Sequence, residues 1–511
     1  MPVPQPRVRL PNPVEVTSRG TPGRWESVLA LLHPSVFAAA FVLGRFAETT
    51  AGLSELWRPL LITVVGAAGI SLVVLAGARR PAWAGLAGSV VVLALLADPV
   101  PAMVVGAVAL WWAIVSIFRR RRCGTPQSLG VQDLPVRLAA AYAFALLAVS
   151  LWTAAGSIPV GQVGSMPLAV NASSSGGPNI YLLLLDGYPR SDTLHDEFGM
   201  DNEPFEHELS SLGFSVSPEA LSNYNKTWLT MASLLNGQYA HEHPALADPP
   251  SGASAQARRA HDVIESGAVL GYLRDRGYVV VSIPSSVTTT DVLTAVDLRA
   301  AGHLSSFEIS LVTSSLMGWI APEMTVGFLA RDSRERALDQ LQALAEAAEE
   351  DGDHPEFVVA HLLPPHPPFV LGSDPDYLHV CFPGCRFWAT TLEETWMNEA
   401  DYAARVRLQV DELNARVVET LDRVIDADPT GVVVVMSDHG ARHRIENIDE
   451  HFRVLFAART PGQPDLFGGD VALVNVFRRI LSEYFGESLP DLPYEAWESE
   501  WFVPLDISRY R

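Results

Sequence analysis

Lysine is all but missing from this 511-residue chain: among 36 basic residues, only Lys226 is not an arginine. A high-GC genome makes that exchange wherever chemistry permits, so the place where a lysine survives is informative. Cysteine is nearly as scarce, and three cysteines exclude a disulfide-built scaffold or a thiolate cluster. Charged residues amount to 18%, below the roughly 25% of an ordinary soluble protein. The shortage is uneven. Residues 1–157 hold 13 Arg, no Lys and 6 Asp or Glu, a net charge of +7; the whole chain carries −22, which leaves −29 for residues 158–511. Such an acidic second part excludes nucleic acid as a partner, because phosphates need a basic face.

Segments 28–44, 59–77, 82–97, 99–118 and 138–156 contain no Lys, Arg, Asp or Glu, and each approaches the ~17–25 residues that a bilayer demands. Five spanning helices are expected, the third and fourth forming a hairpin around Asp98-Pro99-Val100-Pro101. Arginines cluster before the first helix, at Arg79 and Arg80, and at Arg119–Arg122. Positive loops stay in the cytoplasm, so the N-terminus is expected inside and everything after about residue 157 outside. Cys123 then lies on the reducing side, while Cys381 and Cys385, in Cys381-Phe-Pro-Gly-Cys385, lie on the oxidising side and are expected to form a small-loop disulfide. The resulting organisation is a cytoplasmic tail 1–27, a transmembrane domain 28–157, a linker 158–178 and an extracytoplasmic domain 179–511.

In that last domain, Asn179–Leu185 is a continuous apolar run stopped by Asp186-Gly187, as in a strand buried on both faces of a parallel sheet. Tyr278–Ile283, Glu356–Ala360 and Val432–Met436 repeat the pattern. Tyr402, Val406, Val410, Leu413, Val417, Leu421 and Ile425 make the apolar stripe of a long amphipathic helix, and Arg334–Glu350 reads as another. Strands alternating with helices give an α/β fold with a mostly parallel central sheet, and chemistry belongs at the carboxyl ends of its strands.

Three such ends carry reactive groups. Asp186 follows the first strand, His366 stands in a proline-rich loop six residues past Ala360, and Asp438-His439-Gly440 follows the Val432–Met436 strand. Two carboxylates and an imidazole on one rim suit a hard-to-borderline divalent metal. Asn225-Lys226-Thr227 precedes an apolar helix ended by Asn236-Gly237. Thr227 therefore starts a helix, as a cap or as a nucleophile whose alkoxide the helix N-terminus stabilises.

The strand ending in Asp186, the stretch Thr227-x-x-x-x-Ala-Ser-Leu-Leu-Asn-Gly237 and the later Ser437-Asp438-His439-Gly440 resemble the sulfatase-like branch of the alkaline phosphatase superfamily over roughly residues 178–462. With its membrane anchor the chain is similar to lipoteichoic acid synthases and lipid A phosphoethanolamine transferases. The resemblance implies one divalent ion, zinc or manganese before calcium or magnesium, held by Asp186, Thr227, Asp438 and His439. It makes Thr227 the nucleophile toward a phospholipid head group and His366 a catalytic and substrate-binding histidine. No Asp-x-x-x-His for a second metal is found. Lys226, His443 and His451 are further substrate-binding candidates, the two histidines having a surface or loop role as their plainer reading.

Two departures matter. The first ligand is a single Asp where sulfatases carry paired acids, and Trp228, Leu229 and Thr230 replace the Cys/Ser-x-Pro-x-Arg signature for formylglycine. The expected activity is transfer of a phosphoethanolamine or phosphoglycerol type head group from a membrane lipid to an envelope lipid or glycan. A phosphate- or sulfate-ester hydrolase is the alternative, and a non-catalytic envelope scaffold the third reading.

Overall fold

The computed structural model describes residues 24–157 and 176–510, except 50, 52, 79–80, 97–133, 248–249, 251–252, 301, 316–320, 351, 373–388 and 500–506. Among the described residues, four N-terminal helices come first: α1 (Arg24–Ala47), α2 (Leu53–Ala78), α3 (Pro81–Leu96) and α4 (Leu134–Ser157). By length and composition, three of them can cross a membrane, over Ser27–Ala47, Glu55–Gly77 and Arg137–Ala155. The apolar stretch of α3, Ala84–Leu93, is shorter than a span. The expected fourth helix at 99–118, Cys123 and the Cys381–Cys385 pair lie outside the described residues; among the described residues, three helices are of spanning length.

The remaining elements used below are helices α5 (Ser191–Phe198), α6 (Thr227–Asn236), α7 (Ser306–Ser314), α8 (Pro322–Glu349) and α9 (Glu399–Ala427), with strands β1 (Ile180–Leu185), β2 (Ser215–Val216), β3 (Val279–Ile283), β4 (Asp297–Leu298), β5 (Glu356–Leu362), β6 (Val432–Met436), β7 (Phe456–Arg459), β8 (Trp497–Ser499) and β9 (Ile507–Arg509). Seven strands form one sheet in the order β2-β7-β6-β1-β5-β3-β4. β1 pairs in parallel with β5 and β6, β3 in parallel with β4 and β5, and β7 runs antiparallel to both β6 and β2. The mostly parallel sheet expected from the apolar runs is therefore present, with one reversed strand.

Every residue of β1 and β6 is buried, because helices cover both faces. One core lies between the sheet and α6, with Leu182, Leu184, Leu229 and Leu235; the other lies beneath α8 and α9, with Leu183, Leu185, Leu344 and Leu413. The stripe on α9 buries Tyr402, Val406, Val410, Leu413, Val417, Leu421 and Val424. Two boundaries differ from the sequence reading. β5 runs two residues past Ala360, since His361 and Leu362 stay paired with Leu184 and Leu185 of β1. α8 begins at Pro322, twelve residues before Arg334, with proline in its first turn.

Candidate active site

Three neighbouring strands, β6, β1 and β5, end at one rim, and their following residues converge there. Asp186 leaves β1, and its backbone N–H still donates to Leu362 O at 2.9 Å. Asp438 and His439 leave β6. His439 Nε2 stands 3.4 Å from Asp186 Oδ1 and 3.3 Å from Asp438 Oδ2. All three side chains are buried, and their ligand-type atoms lie within 4.8 Å of one another.

Local bonds aim these atoms. The Gly187 N–H donates to Asp438 Oδ1 at 2.9 Å, and His439 Nδ1 is 2.9 Å from Gly440 O, which turns Nε2 toward the carboxylates. Asp186 Oδ1, Asp438 Oδ2 and His439 Nε2 are left buried with no hydrogen-bond partner. Three converging ligand-type atoms without partners are costly unless a cation occupies the space between them, so this set fits a divalent ion. Glycine is required at Gly440, where a Cβ would come within 2.0 Å of Glu450 O, and Gly187 has φ +67° with His439 immediately beside it.

Thr227 is the first residue of α6 and is buried. Lys226 occupies the capping position, with no side-chain cap bond, so Thr227 stands inside the helix and not at its cap. One turn on, Thr230 Oγ1 donates to Asp438 O at 2.9 Å, and Ser222 Oγ donates to the same carbonyl at 2.6 Å. These bonds fix the start of α6 against the Asp438 turn. The preceding loop is held from the far end of the chain. The Trp497 N–H donates to Asn223 O at 2.8 Å, and the Ser499 N–H donates to Asn225 Oδ1 at 2.9 Å.

A small, open pocket lies beside the rim, lined among others by His366, Thr390, Tyr402, His439, Arg442 and His443. His366 lies between two cis X-Pro bonds. Its Nε2 is 3.2 Å from Thr390 Oγ1 and its Nδ1 2.5 Å from Pro367 O. Burial lowers its pKa against the pull of Asp186, and Arg442 lowers it further. Burial likewise works against charge on Asp186, yet His366, His361 and His439 together hold its carboxyl well below the usual carboxylate range.

The other candidates separate. His443 reaches the cavity wall, with Nε2 3.3 Å from Glu197 Oε2. His451 is buried away from the cavity lining, and its Nε2 meets Arg444 O at 3.1 Å. Neither is a surface histidine, because both are buried, His443 against Phe198 and Tyr402. Lys226 is only 5% exposed. Burial, and then the charge of Arg442, push its amine down to about 6.

Two residues of the site escaped the sequence reading. His361, on β5, places Nε2 3.5 Å from Asp186 Oδ2 and Nδ1 3.7 Å from Asp291 Oδ1. Burial opposes its charge, but these two carboxylates raise it to about 10. Arg442 lines the cavity and donates through Nη1 to Asn225 O at 3.1 Å. Its position three residues after His439 was the available signal.

A family model described as Sulfatase matches residues 178–462. Among curated protein sequences none matches. The chain is similar in structure to the C-terminal periplasmic domain of EptC from Escherichia coli, at 14% identity, 68% coverage of this chain, 97% of that one and a TM-score of 0.40. It is similar to the integral membrane protein lipooligosaccharide phosphoethanolamine transferase A from Neisseria meningitidis, at 10% identity, 91% and 84% coverage and a TM-score of 0.40. A phosphonate monoester hydrolase of Agrobacterium radiobacter aligns at 14% identity, 63% and 80% coverage and a TM-score of 0.35.

Proposed function

The chain belongs to the sulfatase family of the alkaline phosphatase superfamily, and from that premise we propose that it is a membrane-bound transferase, moving a phosphoryl-linked head group from a lipid to an envelope lipid or glycan through Thr227. The observation that carries this reading is the convergence of Asp186 Oδ1, Asp438 Oδ2 and His439 Nε2, all orphaned, beside the helix that Thr227 begins. Helices of spanning length on the same chain favour a lipid donor. Phosphoethanolamine and phosphoglycerol are the head groups that suit it. The same helices, with their arginine flanks, support a cytoplasmic-membrane protein with its catalytic domain outside.

Asp186, Asp438 and His439, with the Thr227 hydroxyl, are the residues that would hold the ion, zinc or manganese before calcium or magnesium. Bound there, a divalent cation acidifies a coordinated hydroxyl and neutralises phosphoryl oxygens. The chain's own groups do the rest. Thr227 Oγ forms a bond to phosphorus as the bond from phosphorus to the diacylglycerol oxygen breaks. His366 carries the threonine proton to that departing oxygen. An acceptor hydroxyl then attacks the same phosphorus, Thr227 Oγ leaves, and the acceptor's proton returns to it. Arg442, His366 and His443 line the space where the anionic group sits. Trp228, Leu229 and Thr230 after Thr227 remove the formylglycine route, which favours phosphoryl transfer over sulfate-ester hydrolysis.

The test is peptide mass spectrometry across Asn225–Gly237 on protein from native membranes, with Thr227→Ala as control. An adduct on Thr227 whose mass matches phosphoethanolamine or phosphoglycerol is the expected result. Bare phosphate on Thr227 would move the assignment to a hydrolase, and full activity in Thr227→Ala would overturn the covalent route.

A further inference from the structure

The catalytic domain does not simply hang from its anchor. Phe307 and Leu311 of α7 share one apolar cluster with Val42, Leu43 and Phe46 of α1, Leu56 and Leu60 of α2, and Ala154 of α4. Phe46 and Phe307 meet edge to face at 5.8 Å. Arg58 of α2 donates through Nε to Glu308 at 2.5 Å and through Nη1 and Nη2 to the carbonyls of Gly302 and His303. Leu56, Arg58 and Leu60 lie inside the apolar span Glu55–Gly77, so α7 is seated at the depth of the span's end.

The start of α8 continues this surface. Leu329 packs inward on Ile309 of α7, while Met324 and Phe328, one turn apart on the other side, are 78% and 55% exposed. Large apolar side chains exposed at that spacing, joined to helices of spanning length, form an interfacial face, and exposed Arg331 gives it a polar border.

We propose that the first two turns of α8, braced by α7, dip into the acyl layer beside the anchor, with phospholipid chains as their partner. The inference rests on α1, α2 and α4 crossing the membrane. It adds a reason for the length of α8. Further along the same helix, Ser333, Arg336 and Gln340 line a second cavity together with Pro364 and His366, and Gln340 Nε2 donates to His361 O at 2.6 Å. One rigid helix thus sets the height of the catalytic loop above the lipid.

The experiment places p-benzoylphenylalanine singly at Met324, Phe328, Val73 and Leu408 in the full chain, reconstituted in nanodiscs of phosphatidylethanolamine and phosphatidylglycerol. Val73 is 75% exposed on α2 and Leu408 45% exposed on α9, and all four sites are outside the catalytic machinery. After irradiation, phospholipid adducts at 324 and 328 comparable with those at 73, and none at 408, are expected. Adducts at 73 without adducts at 324 or 328 overturn the proposal and leave the anchor standing. Equal labelling at 408 overturns it as non-specific contact, and no adduct at any position overturns the anchor as well.

Discussion

His361 Nε2 stands 3.5 Å from Asp186 Oδ2, while His439 Nε2 stands 3.4 Å from Oδ1 of the same carboxylate. The carboxylate is thereby held from both sides, and Asp291 holds His361 in turn. Groups of this kind orient a ligand without touching substrate, and losing one typically costs about 10–100-fold in metal affinity. His361→Gln is expected to weaken metal retention in that range while leaving the fold intact. Metal content after graded chelation, with circular dichroism as control, checks it; unchanged retention would reduce His361 to a packing residue.

Thr227 and Asp438 should part company when removed. Thr227→Ala is expected to drop turnover by roughly 10⁴-fold or more, the scale of losing a nucleophile, while keeping most of the ion. Asp438→Ala or His439→Ala should lose both. Elemental analysis beside a head-group transfer assay separates the two outcomes.

Arg442 lines the cavity and is half-buried near Asp186 and Asp438. A charge-assisted bond to an anionic group is worth about 1.5–3 kcal/mol, so Arg442→Ala should raise KM roughly 10–100-fold, with partial recovery in Arg442→Lys. An effect on thermal stability alone would show that it only supports Asn225.

His451 supplies a pH signature. Burial, then the charges of Arg442, His439 and Lys226, lower its pKa to about 4 against an ordinary 6.5. A depressed histidine favours the folded state above the unfolded pKa, and that contribution is lost as pH falls from 6.5 toward 4. The melting temperature should decline over this window more steeply in the wild type than in His451→Gln. Parallel curves would contradict the assignment.

Glu308 is 8% exposed and accepts from Arg58, itself 32% exposed. Removing the carboxylate costs about 1–2 kcal/mol, the lower part of the range for a charged group because Arg58 keeps the carbonyls of Gly302 and His303 and some water. Glu308→Ala should lower the melting temperature of the full chain in detergent and speed proteolysis between α4 and β1. No change in either would make the contact incidental.

The strands, the α9 stripe and the turn residues Asp186, Asp438 and His439 were legible because a sheet buried on both faces writes unbroken apolar runs, and an acid stopping such a run marks its end. His361 was not legible. It sits inside a strand whose apolar run stops at Ala360, and only the approach of Asp186 and Asp291 from other elements makes an imidazole acceptable there. Lys226 was visible by rarity, but its charge depends on burial and on Arg442, which no local pattern records. The beginning of α8 was hidden for a related reason. Pro322, Gly327 and two exposed apolar residues break the amphipathic pattern, and the pattern fails where the helix leaves water.

The bonds from Trp497 and Ser499 to Asn223 and Asn225 join positions synthesised more than 270 residues apart. While the ribosome is still making the chain, the loop ahead of Thr227 has no partner for the Asn223 carbonyl and the Asn225 side-chain oxygen. A truncated product would therefore carry every group named in the reaction and still lack the clamp that shapes the loop before its nucleophile.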